Sequence, residues 1–555
     1  MKPVRRSSMA TPRPEAKRTA GRGRTLLIAL ASATAIVGGV RLLSRLPTRQ
    51  PDATPPSRGG GDSRLGRAAA EASAHHPDLT GLHLLSDAHD AFAARVLLAR
   101  QAQRTLDLQY YIWHGDRTGT LMLEAVHQAA ERGVKVRLLV DDNGIAGLDT
   151  ILSALDRHPN VMVRLFNPFR IRFPKAIGYL ADFKRLNRRM HNKSFTADGA
   201  ATIVGGRNVG DEYFGAGDGG LFADLDVLAV GPIVPAVERD FDRYWHSASA
   251  YPAAQILPRV GEDKLRQLGA KASLVERDPW AKAFVERLRA LPLIRDLLDG
   301  RLALTWAPVR MISDDPAKAL GEAPPEALLA GKLNDAIGVP RRELDLVAGY
   351  FVPGDAVTEQ LCALARDGVS IRVLTNSFAA TDVSLVHAGY APSRKTLLKA
   401  GVRLFELWGT VRDLPDHKAR RQGSRLGIGS TLRGSGTGRV AALRSGASTL
   451  HAKTFAVDRA RLFIGSFNLD PRSIDLNTEL GFVIDSPELA ARIADTFGEA
   501  IPSAAYEVVL AEGDKLEWRE VRGETTILHR REPGMTPVDH AVIAVAERLP
   551  IRWLL

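Results

Sequence analysis

The pattern H-x-K-x(4)-D occurs twice in this chain of 555 residues, at 191–198 and again 260 residues later, at 451–458. Fourteen residues after each His comes a Gly, and seventeen residues after it comes an Asn. A set of residues repeated with fixed internal spacing predicts two copies of one structural unit. The repeated residues are His191, Lys193, Asp198, Gly205 and Asn208 in the first copy and His451, Lys453, Asp458, Gly465 and Asn468 in the second.

The residue types in each copy indicate phosphoryl chemistry. The local pattern predicts a strand, a tight turn and a second strand, which places the His and the Lys of one copy on the same face. Two cationic side chains on one face require an anion between them, either a carboxylate or a phosphate. Two His, two Lys and two Asn would suit a phosphoryl group in transfer, one His attacking phosphorus and the other protonating the leaving oxygen. We expect no metal or other cofactor, because the two Lys supply the positive charge.

The duplicated pattern, followed by G-[GS]-x-N, resembles the signature of the phospholipase D superfamily over about residues 80 to 510. The resemblance implies an α/β fold with two tandem phospholipase D-like α/β/α domains, related by pseudo-two-fold symmetry and sharing one active site. Because both copies lie in one chain, no oligomer is needed to complete that site. The resemblance also implies a covalent phosphohistidine intermediate.

Roles follow from the resemblance residue by residue. His191 and His451 are the nucleophile and the general acid/base, and family precedent favours His191 as the nucleophile. Acidic residues downstream of the motifs orient the histidines: Glu479 fits in the second copy, and Asp224 aligns in the first after a five-residue insertion. The motif residues Asp198 and Asp458 are expected to be structural. The expected phosphate ligands are Lys193, Lys453, Asn208 and Asn468, with a hydroxyl from Ser466.

A second segment resembles bacterial cardiolipin synthases, particularly the cardiolipin synthase C type. Its residues are Thr375-Asn376-Ser377, Thr381-Asp382 and Val386-His387-Ala388-Gly389-Tyr390, and the ending 549–555 is similar too. The resemblance leaves two roles open for His387 and Tyr390, contact with a lipid headgroup or a structural one.

The predicted function is therefore that of a phosphatidyltransferase that makes cardiolipin from two phospholipids through a phosphatidyl-histidine intermediate. The expected substrates are phosphatidylglycerol and, as an alternative donor, phosphatidylethanolamine. One alternative is a phospholipase D that hydrolyses phospholipid to phosphatidic acid. Another is an inactive membrane scaffold, although intact His, Lys and Asn in both copies argue against it.

The net charge of +12 does not indicate a nucleic-acid partner. Residues 1–50 hold eleven Lys or Arg and a single acidic residue, so the remaining 505 residues carry only +2. A nuclease needs a cationic field across its body to hold the phosphate backbone. The basic residues instead precede the uncharged run 25–40, which predicts an N-terminal membrane anchor or signal segment with the basic side in the cytoplasm. We expect the catalytic domains on the periplasmic or outer side of a bacterial inner membrane, or secretion if the segment is cleaved.

Strand, helix, strand recurs in both halves and predicts βαβ units with sites at the strand ends. The carboxylates of Asp141 and Asp142 are interpreted as a polar turn in preference to an acid/base or metal site. The Gly-rich segment 420–439 is a candidate loop over the active-site mouth, and 541–555 is either an interfacial or a core-packing segment. The predicted units are a basic cytoplasmic tail (1–24), a membrane anchor or signal segment (25–41), a flexible linker (42–78), a first phospholipase D-like domain (79–250), a helical connector (251–300), a second phospholipase D-like domain (301–510) and a C-terminal extension (511–555).

Overall fold

A computed structural model shows two large β-sheets of matching topology with helices packed on them, within the part of the chain that the structure describes. This confirms the predicted α/β fold with two similar halves. The structure describes residues 32, 34, 38–49, 60–216, 221–261, 263–278, 286, 291–408 and 449–546.

The strands of the first half are β1 (Thr80–Leu85), β2 (Thr105–Ile112), β3 (Lys135–Gly144), β4 (Val161–Phe166), β5 (Ser194–Ala197), β6 (Ala201–Gly205), β7 (Phe222–Ala223), β8 (Asp226–Val230), β9 (Ala250–Pro252) and β10 (Thr305–Ala307). The first sheet has the order β10-β1-β8-β6-β5-β2-β3-β4-β9. β2, β3 and β4 are parallel, and β5 pairs antiparallel with β2. β3 buries Val136, Leu138, Leu139 and Val140, on both faces, as expected in the middle of a parallel sheet.

Two of the longer helices of the first half begin at aspartates that accept backbone N–H groups. Asp87 accepts from His89 and Asp90, and Asp116 accepts from Gly119. The helices described in the first half are α1 (Arg64–Ser73), α2 (Ala88–Gln101), α3 (Arg117–Glu131), α4 (Asp149–Leu155), α5 (Gly178–Leu186), α6 (Asp211–Phe214), α7 (Val234–Trp245), α8 (Ala253–Ile256), α9 (Asp263–Arg277) and α10 (Leu293–Leu298).

The strands of the second half are β11 (Val309–Ser313), β12 (Glu343–Ala348), β13 (Ser370–Asn376), β14 (Arg403–Leu407), β15 (Thr449–Leu450), β16 (Lys453–Val457), β17 (Arg461–Gly465), β18 (Leu480–Asp485), β19 (Ala505–Ala511), β20 (Lys515–Arg522) and β21 (Thr525–His529). The second sheet has the order β11-β18-β17-β16-β12-β13-β14-β19-β20-β21. Its helices are α11 (Leu329–Ile337), α12 (Gly354–Arg366), α13 (Ser384–Tyr390), α14 (Arg394–Lys399), α15 (Pro471–Asp475), α16 (Pro487–Glu499) and α17 (Pro537–Ala546).

The two sheets repeat one another in register as well as in order. In the first, Leu108 of β2 pairs with Phe195 of β5, and in the second Leu346 of β12 pairs with Phe455 of β16. A shared apolar cluster joins the two sheets, with Val204 and Val227 from the first and Ile464 from the second. The pseudo-two-fold arrangement therefore brings the ends of β5 and β16, where the motifs lie, toward one interface.

Several predicted boundaries differ from the structure because segments that look polar in sequence bury apolar side chains. Residues 64–73 of the expected flexible linker form α1, whose Leu65 is fully buried in the first core. The connector helix α9 packs on α3 and α4. β10, assigned to the second domain, pairs with β1 of the first sheet, so the second sheet begins at Val309. β20 and β21, assigned to the C-terminal extension, extend the second sheet.

Some predictions concern segments outside the described residues. Most of the anchor or signal segment, the Gly-rich segment 420–439 and residues 547–555 are among them. α17 is described, and its Ile543 is buried against Ala388. Within the described residues, a membrane-crossing helix of sufficient length and apolarity is absent.

Candidate active site

Each motif histidine follows a residue whose backbone is held from inside its own sheet. Asp141, near the end of β3, accepts a hydrogen bond from the N–H of Met190 at 2.8 Å. At the corresponding end of β13, Asn376 accepts from the N–H of Leu450 at 2.8 Å. The sequence analysis interpreted Asp141 and Asp142 as a polar turn, but both lie within β3 and are fully buried. Asp141 pairs with Arg189, so it fixes the segment leading into His191.

Asp142 has a separate role from its neighbour. It pairs with Arg172 and with Lys175, the latter at 3.0 Å, and accepts from the N–H of Phe169 at 2.7 Å. A buried carboxylate needs such partners to remain ionised. Asp142 therefore anchors the segment that follows β4.

The backbone of each histidine is also bound by the opposite half of the molecule. The N–H of His191 donates to the carbonyl of Thr478 at 2.8 Å, and the N–H of His451 donates to the carbonyl of Ala223 at 2.8 Å. β7 and β15 form a parallel ladder in front of His451, with Leu450 opposite Ala223. The residue that binds each histidine's backbone directly precedes an acidic residue. The interface therefore sets where that acidic side chain lies.

The two carboxylates consequently pair across the interface. Glu479 Oε2 lies 2.8 Å from His191 Nδ1, and Asp224 Oδ2 lies 2.6 Å from His451 Nδ1. The sequence analysis placed each carboxylate with the motif of its own copy. That pairing was wrong, because each copy supplies the carboxylate for the other copy's histidine. An ionised carboxylate at Nδ1 requires Nδ1 to carry the proton and leaves Nε2 as the reactive nitrogen.

The two lysines lie beside the histidines and are almost fully buried. Lys193 Nζ donates to the carbonyl of His191 at 2.5 Å. Lys453 Nζ contacts the carbonyl of His451 and lies 2.9 Å from its Nδ1. Their positive charges act on both histidines, which places all four side chains in one electrostatic site.

Burial and the paired lysine charges dominate the titration of the site. Burial, followed by the charges of Lys193 and Lys453, lowers the pKa of His191 well below its usual range. The same causes, burial first and then Lys453, lower the pKa of His451 to about 3 despite Asp224. Burial lowers the pKa of Lys193 to about 7. Binding of a phosphate anion would reverse these shifts, because a negative charge stabilises the protonated forms.

The two carboxylates are ionised to different degrees. Burial raises the pKa of Glu479 to about 7, even though Lys193 opposes the shift. Burial also opposes the ionisation of Asp224, but the charges of His451 and Lys453 hold its pKa well below its usual range. The His451 side therefore has a permanent anion, whereas the His191 side has a carboxylate that titrates near neutrality.

The repeated glycine motif explains part of this difference. Ser466, expected to be a phosphate ligand, donates to Glu479 Oε2 instead, and Ser473 donates to Oε1 at 2.8 Å. The corresponding residue of the first copy is Gly206. A methyl group there would lie 2.8 Å from the carboxyl carbon of Asp224. Glycine at 206 therefore makes room for Asp224, whereas serine at 466 binds Glu479.

We expect Gly206→Ala to lower turnover by on the order of 10²-fold, since displacing a catalytic group by about 1 Å costs that much. The added Cβ forces Asp224 away from His451. Steady-state assays of phosphatidyl transfer would measure the loss. Gly498→Ala in α16 is the matched control, because a Cβ at that position meets nothing within 4 Å. Wild-type turnover in Gly206→Ala would contradict the packing argument.

The two motif asparagines differ in their contacts. Asn208 Oδ1 accepts from the N–H of Ile112 at 3.1 Å, and its Nδ2 donates to the Tyr213 hydroxyl at 2.9 Å. Asn208 thus holds the end of β2 and orients a ring that faces His451. The Oδ1 atom of Asn468 is buried and has no hydrogen-bond partner among the described residues. Asn468 Oδ1 therefore lacks the backbone bond that Asn208 Oδ1 makes.

The motif aspartates bind backbone rather than the catalytic groups. Asp198 accepts from the N–H groups of residues 103, 104 and 105, where β2 begins. Asp458 accepts from those of residues 341, 342 and 343, where β12 begins. Both have a positive φ, 52° and 54°, in the turn between the paired strands. Each carboxylate therefore fixes the strand next to its motif.

Aromatic side chains that the sequence analysis did not single out surround the histidines. Tyr111 meets the His191 ring edge-on at 5.0 Å between centroids. Phe222 stacks on His451 at 5.3 Å and 11°, and Tyr213 meets its edge at 5.3 Å. Tyr111 lies in β2, Phe222 in β7 and Tyr213 in α6, so Phe222 and Tyr213 reach His451 from the opposite half, a contact that sequence spacing does not reveal.

His387 and Tyr390 lie inside the second half of the molecule. Both are almost fully buried, and His387 Nε2 pairs with Glu532, which also pairs with Arg394. Of the two roles left open, the contacts are those of the structural one. They attach the C-terminal segment to α13.

One group of side chains has ligand atoms close enough for a metal ion, within the residues that the structure describes: His114, Asp116 and Glu212. Asp116 already accepts from the N–H groups of Gly119 and Asp211, and Glu212 lies 3.1 Å from His114. This group caps α3 and ties it to α6, so its contacts are those of a structural cluster.

A two-histidine, two-lysine site at the interface of two matching α/β halves defines the class, a phospholipase D-like phosphoryl-transfer fold. The family model described as "Cardiolipin synthase, PLD-like domain" matches residues 97–245 and 333–501. Cardiolipin synthase C of Escherichia coli (strain K12) is 46% identical over 493 residues, 89% of this chain and 100% of that protein. The chain belongs to the cardiolipin synthase family of phospholipase D-like proteins.

More distant relatives agree with this placement. The major cardiolipin synthase of Bacillus subtilis (strain 168) is 24% identical, and the match covers 75% of this chain and 68% of that protein. Among solved structures, phosphatidylserine synthase of Haemophilus influenzae superposes with a TM-score of 0.52 at 13% identity, covering 88% of this chain and all of that one. That likeness concerns the fold.

Proposed function

We propose that the protein is a phosphatidyltransferase that makes cardiolipin from two phospholipids through a covalent phosphatidyl-histidine. The observation that carries the proposal is the exchange of carboxylates, which places both imidazoles, each with its Nδ1 paired, in one buried cationic site. Phosphatidylglycerol is the proposed acceptor, with phosphatidylglycerol or phosphatidylethanolamine as donor. The names of the similar synthases support this substrate class, and neither a nucleic acid nor a second subunit is required.

The geometry supports a two-step reaction. His191 Nε2 attacks phosphorus, the bond from phosphorus to the headgroup oxygen breaks, and His451 donates a proton to that oxygen. In the second step His451 takes the proton of the incoming hydroxyl, whose oxygen attacks phosphorus and releases His191. Glu479 accepts a hydrogen bond from the Nδ1–H of His191 in both steps and stabilises the positive charge that forms on the ring.

Protonation of His451 depends on the substrate. In the empty site its pKa is about 3, so the ring is neutral at physiological pH. A phosphodiester anion held by Lys193 and Lys453 offsets the charges that cause this shift, and Asp224 then favours the imidazolium. The general acid is thus charged only when there is a phosphate to cleave.

Burial favours transfer over hydrolysis. The exposed fractions of His191 and His451 are 7% and 6%, and those of Lys193 and Lys453 are 1% and 2%. Water reaches such a site less readily than a hydroxyl delivered by a bound lipid. Hydrolysis to phosphatidic acid is therefore the competing reaction rather than the main one.

The test is to incubate the purified full-length protein with labelled phosphatidylglycerol in vesicles, with and without phosphatidylethanolamine. Accumulation of cardiolipin is the expected result. Phosphatidic acid as the sole product would identify a hydrolase. Absence of turnover, with binding to vesicles retained, would identify a scaffold. The double variant Lys193→Ala, Lys453→Ala is the matched negative control, because it leaves both histidines in place.

We also propose that the N-terminal segment anchors the protein in a bacterial inner membrane, with the catalytic halves on the periplasmic or outer side. Arg41, Arg45 and Leu46 line one depression together with Ala181, Arg185 and Asp182, of which Asp182 pairs with Arg185 and leaves the two other arginines as cations. Two exposed apolar residues lie on the surrounding segment, Phe173 with 92% and Leu180 with 66% of the residue accessible. Apolar groups with cations nearby suit a lipid surface, so this face supports the membrane side.

A further inference from the structure

We propose that Asp382 and Tyr350 form the subsite that binds the polar headgroup of both the departing and the entering alcohol, next to His451. This inference rests on the proposed function and deepens it. The ligand chemistry is a hydrogen-bond donor on the alcohol, either a glycerol hydroxyl or an ethanolamine ammonium.

Tyr350 and Asp382 lie on the wall of the site beside His451. The Tyr350 hydroxyl donates to Asp382 Oδ2 at 2.7 Å, and the Tyr350 ring meets the His451 ring edge-on at 6.3 Å between centroids. Asp382 is exposed to solvent, yet its charge acts on Lys453 and on Tyr213. An exposed carboxylate bonded to a tyrosine whose ring meets His451 lies at the edge of the site.

The first half does not repeat the pair at the same strand position, since the tyrosine that meets His191 is Tyr111, one residue earlier in β2. The register of β2 with β5 and of β12 with β16 aligns Ile112 with Tyr350. The same alignment is shown by the bridges that follow, Trp113 to Val209 and Phe351 to Leu469. An apolar side chain thus occupies in the first half the position that supplies a hydroxyl in the second.

The His191 side has the opposite electrostatic character. Arg472 lies near Tyr111 and its charge lowers the pKa of His191, after burial and the two lysines. Arg472 also donates to the carbonyl of Asn187 at 2.7 Å. The cationic side suits the phosphatidyl group, whereas the side that bears Asp382 suits a neutral or cationic alcohol.

The direction of the reaction selects the side on which the alcohol lies. Attack by His191 displaces the leaving oxygen roughly in line with the incoming nitrogen, hence toward His451. A carboxylate would repel the phosphate, but it accepts hydrogen bonds from a hydroxyl or an ammonium. Because the second step reverses the first, the same wall meets the entering alcohol.

A purely structural role would predict a different result. The bond between Tyr350 and Asp382 is exposed, so losing it affects folding little. Asp382→Asn retains an oxygen that accepts from Tyr350 but removes the charge. Tyr350→Phe retains the ring beside His451 but removes the hydroxyl.

The test is a headgroup-exchange assay in which the full-length enzyme transfers the phosphatidyl group from phosphatidylglycerol to labelled free glycerol or labelled ethanolamine. In Asp382→Asn we expect the KM for the alcohol to rise about 10-fold or more, with kcat changed much less, since hydrogen bonds to charged groups are the stronger ones. A larger rise for ethanolamine identifies an ammonium subsite, and a larger rise for glycerol identifies a hydroxyl subsite. Tyr350→Phe should raise the same KM by a smaller factor.

Asp335→Asn, an exposed carboxylate in α11 of the same half, is the matched control and should change neither KM. If both KM values are unchanged in Asp382→Asn, or if kcat alone falls, the inference is overturned. If the wild-type enzyme exchanges neither alcohol and makes no cardiolipin, the proposed function itself fails.

Discussion

His451→Ala is expected to accumulate a phosphatidyl-enzyme that His191→Ala cannot form. The sharpest substrate is a phosphatidyl ester whose leaving group is an aryl oxide, because that oxide departs without a proton. His451→Ala should then release about one equivalent of the phenol in a burst and stop, since the second step still needs a base for the incoming alcohol. His191→Ala should release none.

With natural lipids both variants should lose most of their turnover. Removing a general acid and base costs about 10²–10⁴-fold. Removing the nucleophile costs on the order of 10⁴-fold or more, because no covalent step remains. Intact mass spectrometry would detect the added phosphatidyl group, and stopped-flow absorbance would measure the burst.

Asp335→Asn provides the full-turnover control for the same preparation and the same lipid. A burst from His191→Ala with none from His451→Ala would exchange the two roles. A burst from both variants would mean that a group other than these two histidines attacks phosphorus.

That the two histidines and the two lysines would lie in one site was predictable, because the duplicated motif preserves side-chain type and spacing. The pairing of Glu479 with His191 was not. Along the chain, Glu479 follows His451 by 28 residues. This spacing does not indicate which of the two histidines the side chain of Glu479 will contact. That contact depends on the backbone bond from His191 to Thr478, which exists only once the two sheets meet.

Other site features were within reach of the sequence but required the sheets to be aligned. Asp141 and Asn376 stand at the same point of β3 and β13 and hold the same backbone position, yet one is a carboxylate and the other an amide. A residue-by-residue match of the two copies therefore misses them. The α1 helix was missed because its buried side includes small alanines, Ala68 and Ala69 beside Leu65, which look like linker composition.

Glu479→Gln and Asp224→Asn are each expected to lower turnover by about 10³–10⁴-fold, because an amide leaves the histidine in the wrong tautomer or unoriented. The two variants should differ in their pH profiles. Asp224 is ionised throughout the neutral range, whereas the pKa of Glu479 is about 7 as a result of burial. Protonated Glu479 donates to Nδ1 of His191, which moves the ring proton to Nε2 and blocks attack.

In the wild-type enzyme kcat/KM should therefore fall as the pH decreases through about 7. It should also fall as the pH rises through about 7, because the free enzyme then loses the proton of Lys193. Because Glu479 and Lys193 interact, the two apparent pKa values of the bell-shaped profile belong to the pair and not to either group alone. In the pH profile of kcat, the basic limb should lie at higher pH than in that of kcat/KM, because bound phosphate keeps Lys193 charged.

Ser466→Ala separates these limbs. Ser466 donates to Glu479 and stabilises its ionised form, so its removal raises the pKa of that carboxyl further and should shift the acid limb to higher pH. Glu479→Gln should remove the acid limb from its residual activity, and Asp224→Asn should retain it. If the acid limb persists unchanged in Glu479→Gln, a group other than Glu479 titrates there. Ser466 would then have no part in selecting the tautomer of His191.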